Sequence, residues 1–143
     1  MPDYDSVLED AEKLLVSFHQ KVSGTIDCAY VLKGGLDVKD VVEAHLKGRN
    51  NEIHYDPHAA DDRQRITYGT LNPGNVLLIA DDSYEHGGSF RRAVLFFQRE
   101  GYELDKIYGF YLFGGLGAAI PKEKRLPVLD TAQNFLERIL PHR

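Results

Sequence analysis

VLLIADDSYEHGGSF, residues 76–90, carries most of what the chain reveals about its fold. Val76, Leu77, Leu78, Ile79 and Ala80 form a short, continuous apolar run, the pattern of a strand covered on both faces in a parallel sheet. Asp81 and Asp82 fall where that run stops. In an open α/β sheet, ligands bind beyond the carboxyl ends of the strands, so adjacent carboxylates there can meet hydroxyls or a hydrated cation. Gly87, Gly88 and Ser89 follow, just before the helical periodicity that begins at Phe90. Glycines let a backbone approach a ligand closely, and N–H groups at a helix start attract anions. A second reading needs no ligand: two polar strand-end residues, then a tight turn with a capping serine.

Outward from this stretch, helical and extended patterns alternate. Val7, Leu8, Ala11, Leu14, Leu15 and Phe18 recur at helical spacing, and Ser6 and Glu9 have capping-box spacing, which predicts a helix over 6–22. Ile26 to Leu32 reads as a strand interrupted only by Asp27, and it runs into Lys33, Gly34 and Gly35. Asp37 can cap a helix carrying Val38, Val41, Val42, His45 and Leu46 that stops near Gly48. Residues 49–64 are polar and the most loop-like part of the chain, with a brief strand candidate at Glu52 to Tyr55. Arg65 to Tyr68 is a further short strand, and Leu71-Asn72-Pro73-Gly74 is turn chemistry. Phe90, Ala93, Val94 and Phe97 share one face of a helix from Phe90 to Glu100 that closes at Gly101. Leu104 to Phe113 is the next strand, 117–127 a basic loop, and Ala132, Phe135, Leu136, Ile139 and Leu140 belong to a last helix capped by Asp130. This order predicts an α/β fold: a mainly parallel sheet flanked by helices with right-handed crossovers.

Composition narrows the function classes. At 143 residues the chain is most simply one domain, 1–143, able to bury about two-thirds of its unfolded surface. The formal charge of −5 gives no basic surface for nucleic acid. No apolar run approaches the roughly 18 residues of a membrane span, and nothing resembles a signal peptide, so a cytoplasmic setting is expected. The single cysteine, Cys28, lies in an apolar run and reads as a small buried hydrophobe. His54, Asp56, His58, Asp61 and Asp62 are metal-type ligands, but Pro57 among them argues against a shared helical face, and a polar loop is the simpler reading. No resident metal site is predicted.

Two loops together resemble the signature loops of the type I phosphoribosyltransferases. In that family an apolar strand, two acidic residues, a short stretch and a Thr-Gly-x-Thr-like turn bind the ribose 5-phosphate part of phosphoribosyl pyrophosphate (PRPP). Here the strand is Val76 to Ala80, the acids Asp81 and Asp82, the first glycine Gly87 and the closing hydroxyl Ser89. The run YVLKGG, residues 30–35, is similar to the pyrophosphate loop of the hypoxanthine-guanine branch. The resemblance covers roughly residues 26–113 and implies a phosphoribosyl transfer between PRPP and a nitrogenous base, weakly favouring a purine. It further implies Mg²⁺ bound with PRPP and a homodimer. Under it, Asp81 and Asp82 accept hydrogen bonds from ribose hydroxyls and stabilise positive charge at the anomeric carbon. Glu85, His86, Gly87, Gly88 and Ser89 form the phosphate loop, and Lys33, Gly34 and Gly35 hold pyrophosphate.

The pattern is also broken. Glu85 and His86 stand where the family usually places small hydroxyl residues, and a carboxylate beside a phosphate cradle repels a dianion. Either the site has changed, giving a nucleotide- or PRPP-binding regulatory module, or Glu85 is a solvated loop-tip charge. Only residues 49–64 could supply the family's flap. The aromatics Tyr108, Phe110, Tyr111 and Phe113 stand on a strand that lacks the branch's base-binding lysine, and core packing is the favoured reading of their spacing.

Overall fold

The computed structural model describes residues 4–58, 63–84, 88–114 and 126–139. The elements are α1 (Tyr4–Lys21), β1 (Ile26–Val31), α2 (Lys39–His45), β2 (Asn50–Asp56), β3 (Arg65–Tyr68), β4 (Val76–Tyr84), α3 (Gly88–Arg99), β5 (Ile107–Gly114), β6 (Leu126–Thr131) and α4 (Ala132–Ile139). Short 3-10 turns occupy Gly34–Asp37 and Leu104–Lys106.

Six strands form one sheet in the order β3-β2-β1-β4-β5-β6. The four central strands are parallel, and the edge strands β3 and β6 run antiparallel to their neighbours. The expected mainly parallel α/β fold is therefore what the chain adopts. Period-2 alternation sends side chains to two cores. Ile26, Cys28, Tyr30, Leu78, Ala80 and Phe110 pack beneath Val7, Ala11, Leu15 and Phe18 of α1 and Val42 of α2. Ala29, Ile53, Leu77, Ile79 and Ile107 pack on the other face against Phe90, Ala93, Val94 and Phe97 of α3 and Phe135 of α4. The four α3 residues are those its periodicity selects, and the helix closes before Gly101, whose φ of +108° suits a residue without a side chain. Cys28 is fully buried, and burial pushes its thiol pKa up, as an inert core residue requires.

Several expectations are corrected. The strand candidate at Glu52 to Tyr55 is a longer strand, β2 over Asn50–Asp56, in which Ile53 and Tyr55 alternate inward while their polar neighbours point out. Only the 57–64 connection remains between β2 and β3. The basic loop gives way at Leu126 to strand β6, where Pro127 is tolerated because the strand is an edge. Strand β5 starts at Ile107, after a 3-10 turn, rather than at Leu104. The cap of α4 is Thr131, whose Oγ1 accepts the Asn134 N–H at 3.1 Å, while Asp130 accepts the Thr131 N–H at 2.8 Å. Helix α1 already includes Ser6, which therefore does not cap it. Asp37 does not cap α2 either: the N-cap position is Val38, without a side-chain bond.

The end of the sheet opposite the carboxyl ends of the parallel strands is closed by a residue that sequence reading saw only as an interruption. Asp27 is 0% exposed. Its Oδ1 accepts from the Nδ2 groups of Asn51 and Asn75, each at 3.0 Å, and its Oδ2 accepts the Asn72 N–H at 2.9 Å and the Tyr102 hydroxyl. A buried carboxylate with four donors is satisfied rather than costly. It ties β1, β2, the turn before β4 and the segment after α3 together.

Candidate active site

The sheet order places the two glycine-bearing loops side by side. From β1 the chain crosses through α2 to β2 on one side, and from β4 it crosses through α3 to β5 on the other. The sheet therefore changes winding direction between β1 and β4, and the carboxyl ends of those two strands border the crevice where open α/β sheets bind ligands. The Lys33–Asp37 segment leaves β1 there, and Asp81 and Asp82 stand there on β4.

Asp81 and Asp82 lie within β4, not beyond it. The last β1–β4 pair is Tyr30 with Ala80, but β4 continues against β5, pairing Asp81 with Tyr111 and Ser83 with Phe113. The acid pair thus sits on a strand held from one side and open on the other. The 3-10 turn of Gly34–Asp37 folds over this open side. A Cβ added to Gly34 would lie 2.7 Å from Asp82 Cγ and 2.9 Å from Asp81 Oδ1. One added to Gly35 would lie 2.7 Å from the Ala80 carbonyl oxygen and 2.9 Å from the Tyr30 carbonyl carbon. Both glycines are needed because the turn lies directly on the acid pair and on the ends of β1 and β4. The Leu32–Lys33 peptide bond is cis, and Lys33 itself is exposed at the mouth of the turn.

Burial, the neighbouring Asp82 and the charge of Asp37 push the Asp81 pKa up to about 8, although Asp81 Oδ1 accepts the Asp82 N–H at 2.7 Å. Asp37 is the residue that sequence reading missed as part of this site. It was read as a cap, and its place at the end of a Gly-Gly turn was the signal that it returns toward β4. The adjacent carboxyls of Asp81 and Asp82 fit a hydrated divalent cation, whose charge would offset the repulsion between them.

Gly88 and Ser89, expected before a helix starting at Phe90, are instead the first residues of α3, with Ser89 exposed. Glu85, His86 and Gly87 lie outside the described residues. Of the metal-type cluster, Asp61 and Asp62 also lie outside them. His54 bonds to Glu52, Asp56 accepts the His58 N–H, and no group of three or more metal-type ligands occurs among the described residues. Phe110 and Tyr111 are buried in opposite cores. No described helix is long and apolar enough to cross a membrane.

No family model and no curated protein sequence matches the chain. Solved structures do. The hypoxanthine-guanine phosphoribosyltransferase of Bacillus anthracis, crystallised with HEPES in its active site, superposes with a TM-score of 0.65 at 12% identity, over 92% of this chain and 96% of that one. A hypoxanthine phosphoribosyltransferase of Staphylococcus aureus gives 0.64 at 13% identity, over 85% and 71% of the two chains. The purine phosphoribosyltransferase of Pyrococcus horikoshii gives 0.57 at 15%, over 83% and 79%. The chain has the type I phosphoribosyltransferase fold, in a form divergent in sequence.

Proposed function

We propose that this chain, acting as one phosphoribosyltransferase-like domain, transfers a phosphoribosyl group between PRPP and a nitrogenous base, with a purine the favoured acceptor. The observation that carries the reading is the contact of the Gly34-Gly35 turn with Asp81 and Asp82 at the switch point of the sheet. Its support is chemical. PRPP carries hydroxyls, a 5-phosphate and a pyrophosphate on one ribose, and the chain offers the carboxylates of β4, the start of α3 shortly after them, and a lysine-glycine turn packed on the acid pair.

In this reading Asp81 and Asp82 accept hydrogen bonds from the ribose hydroxyls. Their negative charge offsets the positive charge that builds at the anomeric carbon as its bond to pyrophosphate lengthens. Lys33 and the N–H groups of Gly34 and Gly35 hold pyrophosphate, and Gly87, Gly88 and Ser89 hold the 5-phosphate beside Glu85 and His86. Mg²⁺ bound with PRPP, facing Asp81 and Asp82, would supply charge neutralisation for the pyrophosphate. Asp81 must lose its proton to accept from a hydroxyl with both oxygens, so PRPP binding is coupled to proton release. A cytoplasmic homodimer belongs to the same proposal, and light scattering in solution tests the dimer.

Glu85 and His86, with the short connection between β2 and β3, favour a second reading in which the same crevice binds PRPP or a nucleotide as a regulatory module without turnover. Phosphorus NMR of the protein with PRPP, Mg²⁺ and a panel of nucleobases separates the two. Growth of a pyrophosphate resonance with one base establishes transfer and names the acceptor. PRPP resonances that broaden without product for any base give the regulatory reading, and PRPP resonances unchanged in width and area reject both.

A further inference from the structure

A second cluster of ionisable groups lies away from the acid pair, beneath α2 at the β3 side of the sheet. His54 of β2 contacts Glu52 of its own strand, Nε2 to Oε2 at 2.6 Å, and Lys39 Nζ of α2 reaches the same oxygen at 3.0 Å. The other ring faces belong to β3 and β1. Tyr68 stacks on His54 with centroids 4.7 Å apart and planes 29° apart, and Tyr30 meets it edge-on at 6.4 Å. Glu43 of α2 accepts the Tyr30 hydroxyl at 3.5 Å. Burial and the Glu52 charge push the Glu43 pKa up. Burial opposes ionisation of Glu52 too, but the hydrogen bonds from Lys39 and His54 outweigh it and bring its pKa below the usual value.

The cluster has the carboxyls of Glu43 and Glu52, with the charge of Asp40 acting on Lys39 and Glu43, against one lysine and one imidazole, so a proton on His54 lowers its excess negative charge. It also spans the weakest join of the sheet. Edge strand β3 pairs with β2 at three positions only, and the register breaks between His54 and Tyr55. Tyr68, at the end of β3, is 56% exposed and stacks on the imidazole across that break.

We propose that His54 is a proton-operated clasp: its protonated ring, paired with Glu52 and stacked on Tyr68, fastens β3 to β2 and α2, and the neutral ring releases it. A cation over an aromatic face and a cation beside a carboxylate are both stronger than the same contacts of a neutral ring. Because β3 ends the 57–64 connection, the proton also controls how firmly the far end of that connection is anchored. The device is independent of what binds at the acid pair.

The test is amide hydrogen exchange of Arg65–Tyr68 between pH 5.5 and 8, corrected for intrinsic rates, with α3 amides as the reference and the His54 ring protons followed in the same samples. Protection of β3 should fall about three- to tenfold as His54 loses its proton, with the same midpoint, while α3 stays constant. His54→Phe, which keeps a stacking ring and no proton, should show no such step. A flat wild-type profile, a midpoint away from the His54 titration, or an equal step in His54→Phe would each overturn the clasp.

Discussion

One methyl group at Gly34 would meet both carboxylates of the acid pair, which makes the pyrophosphate-type turn and the acid pair parts of one surface. Asp82→Asn should keep the fold, since asparagine is nearly isosteric, and should lower turnover at least a hundredfold by removing charge needed only in the transition state. Steady-state kinetics check this, and near-wild-type kcat/KM would remove Asp82 from the mechanism. Asp81 makes a different prediction. Its pKa is raised in the folded protein, so the native state keeps a proton that the unfolded chain loses. Its contribution to stability is complete below about pH 4 and is lost as the pH rises through about 8. Asp81→Asn should therefore unfold at a higher temperature than the wild type at pH 8.5, with the difference vanishing near pH 4. A pH-independent difference would contradict the raised pKa. The acid pair and the Lys33-Gly34-Gly35 run were legible in sequence because their chemistry is local. Asp37 was not, because its role depends on a turn that folds back onto a strand far along the chain.

Among the elements, the long, strongly periodic ones and the short edge strand β3 were readable, whereas β6 and the full length of β2 were not. The face of α3 follows from 3.6-residue spacing alone, whereas β6 hides behind Pro127, and β2 shows in sequence only as Glu52 to Tyr55 because its ends are polar. The ties between elements were also hidden. Arg49, just before β2, donates to the carbonyls of His19 and Val22 at 2.6 Å each and of Gly24 at 2.9 Å, and to His19 Nδ1 at 2.7 Å. It thereby satisfies the carbonyls left free where α1 ends. Arg49→Ala should cost about 1–3 kcal/mol in chemical denaturation, and Arg49→Lys should recover little because an ammonium lacks the planar fork. Full recovery by lysine would show that charge alone matters there. Tyr102→Phe removes one of the four donors to Asp27 and should cost about 1–3 kcal/mol without altering the distant acid pair. Unchanged stability in that variant would mean that three donors suffice.

For the whole molecule, the decisive property is the strand order. Alternating helix and strand patterns predict a parallel sheet with crossovers, but no local pattern says which strands are neighbours. The sheet order puts β1 beside β4 and so turns two separate sequence motifs into one crevice. The likeness to purine phosphoribosyltransferases at 12–15% identity agrees with that geometry and carries the fold; the chemistry rests on the residues in the crevice. Calorimetric titration of the protein with PRPP in Mg²⁺ tests the central claim that this crevice is one PRPP site. The account predicts saturable binding at one site per chain, with proton release between pH 6 and 8 detected as a dependence of the heat on the buffer's ionisation enthalpy. No heat of binding across these conditions would mean that the fold has kept the two loops without their ligand.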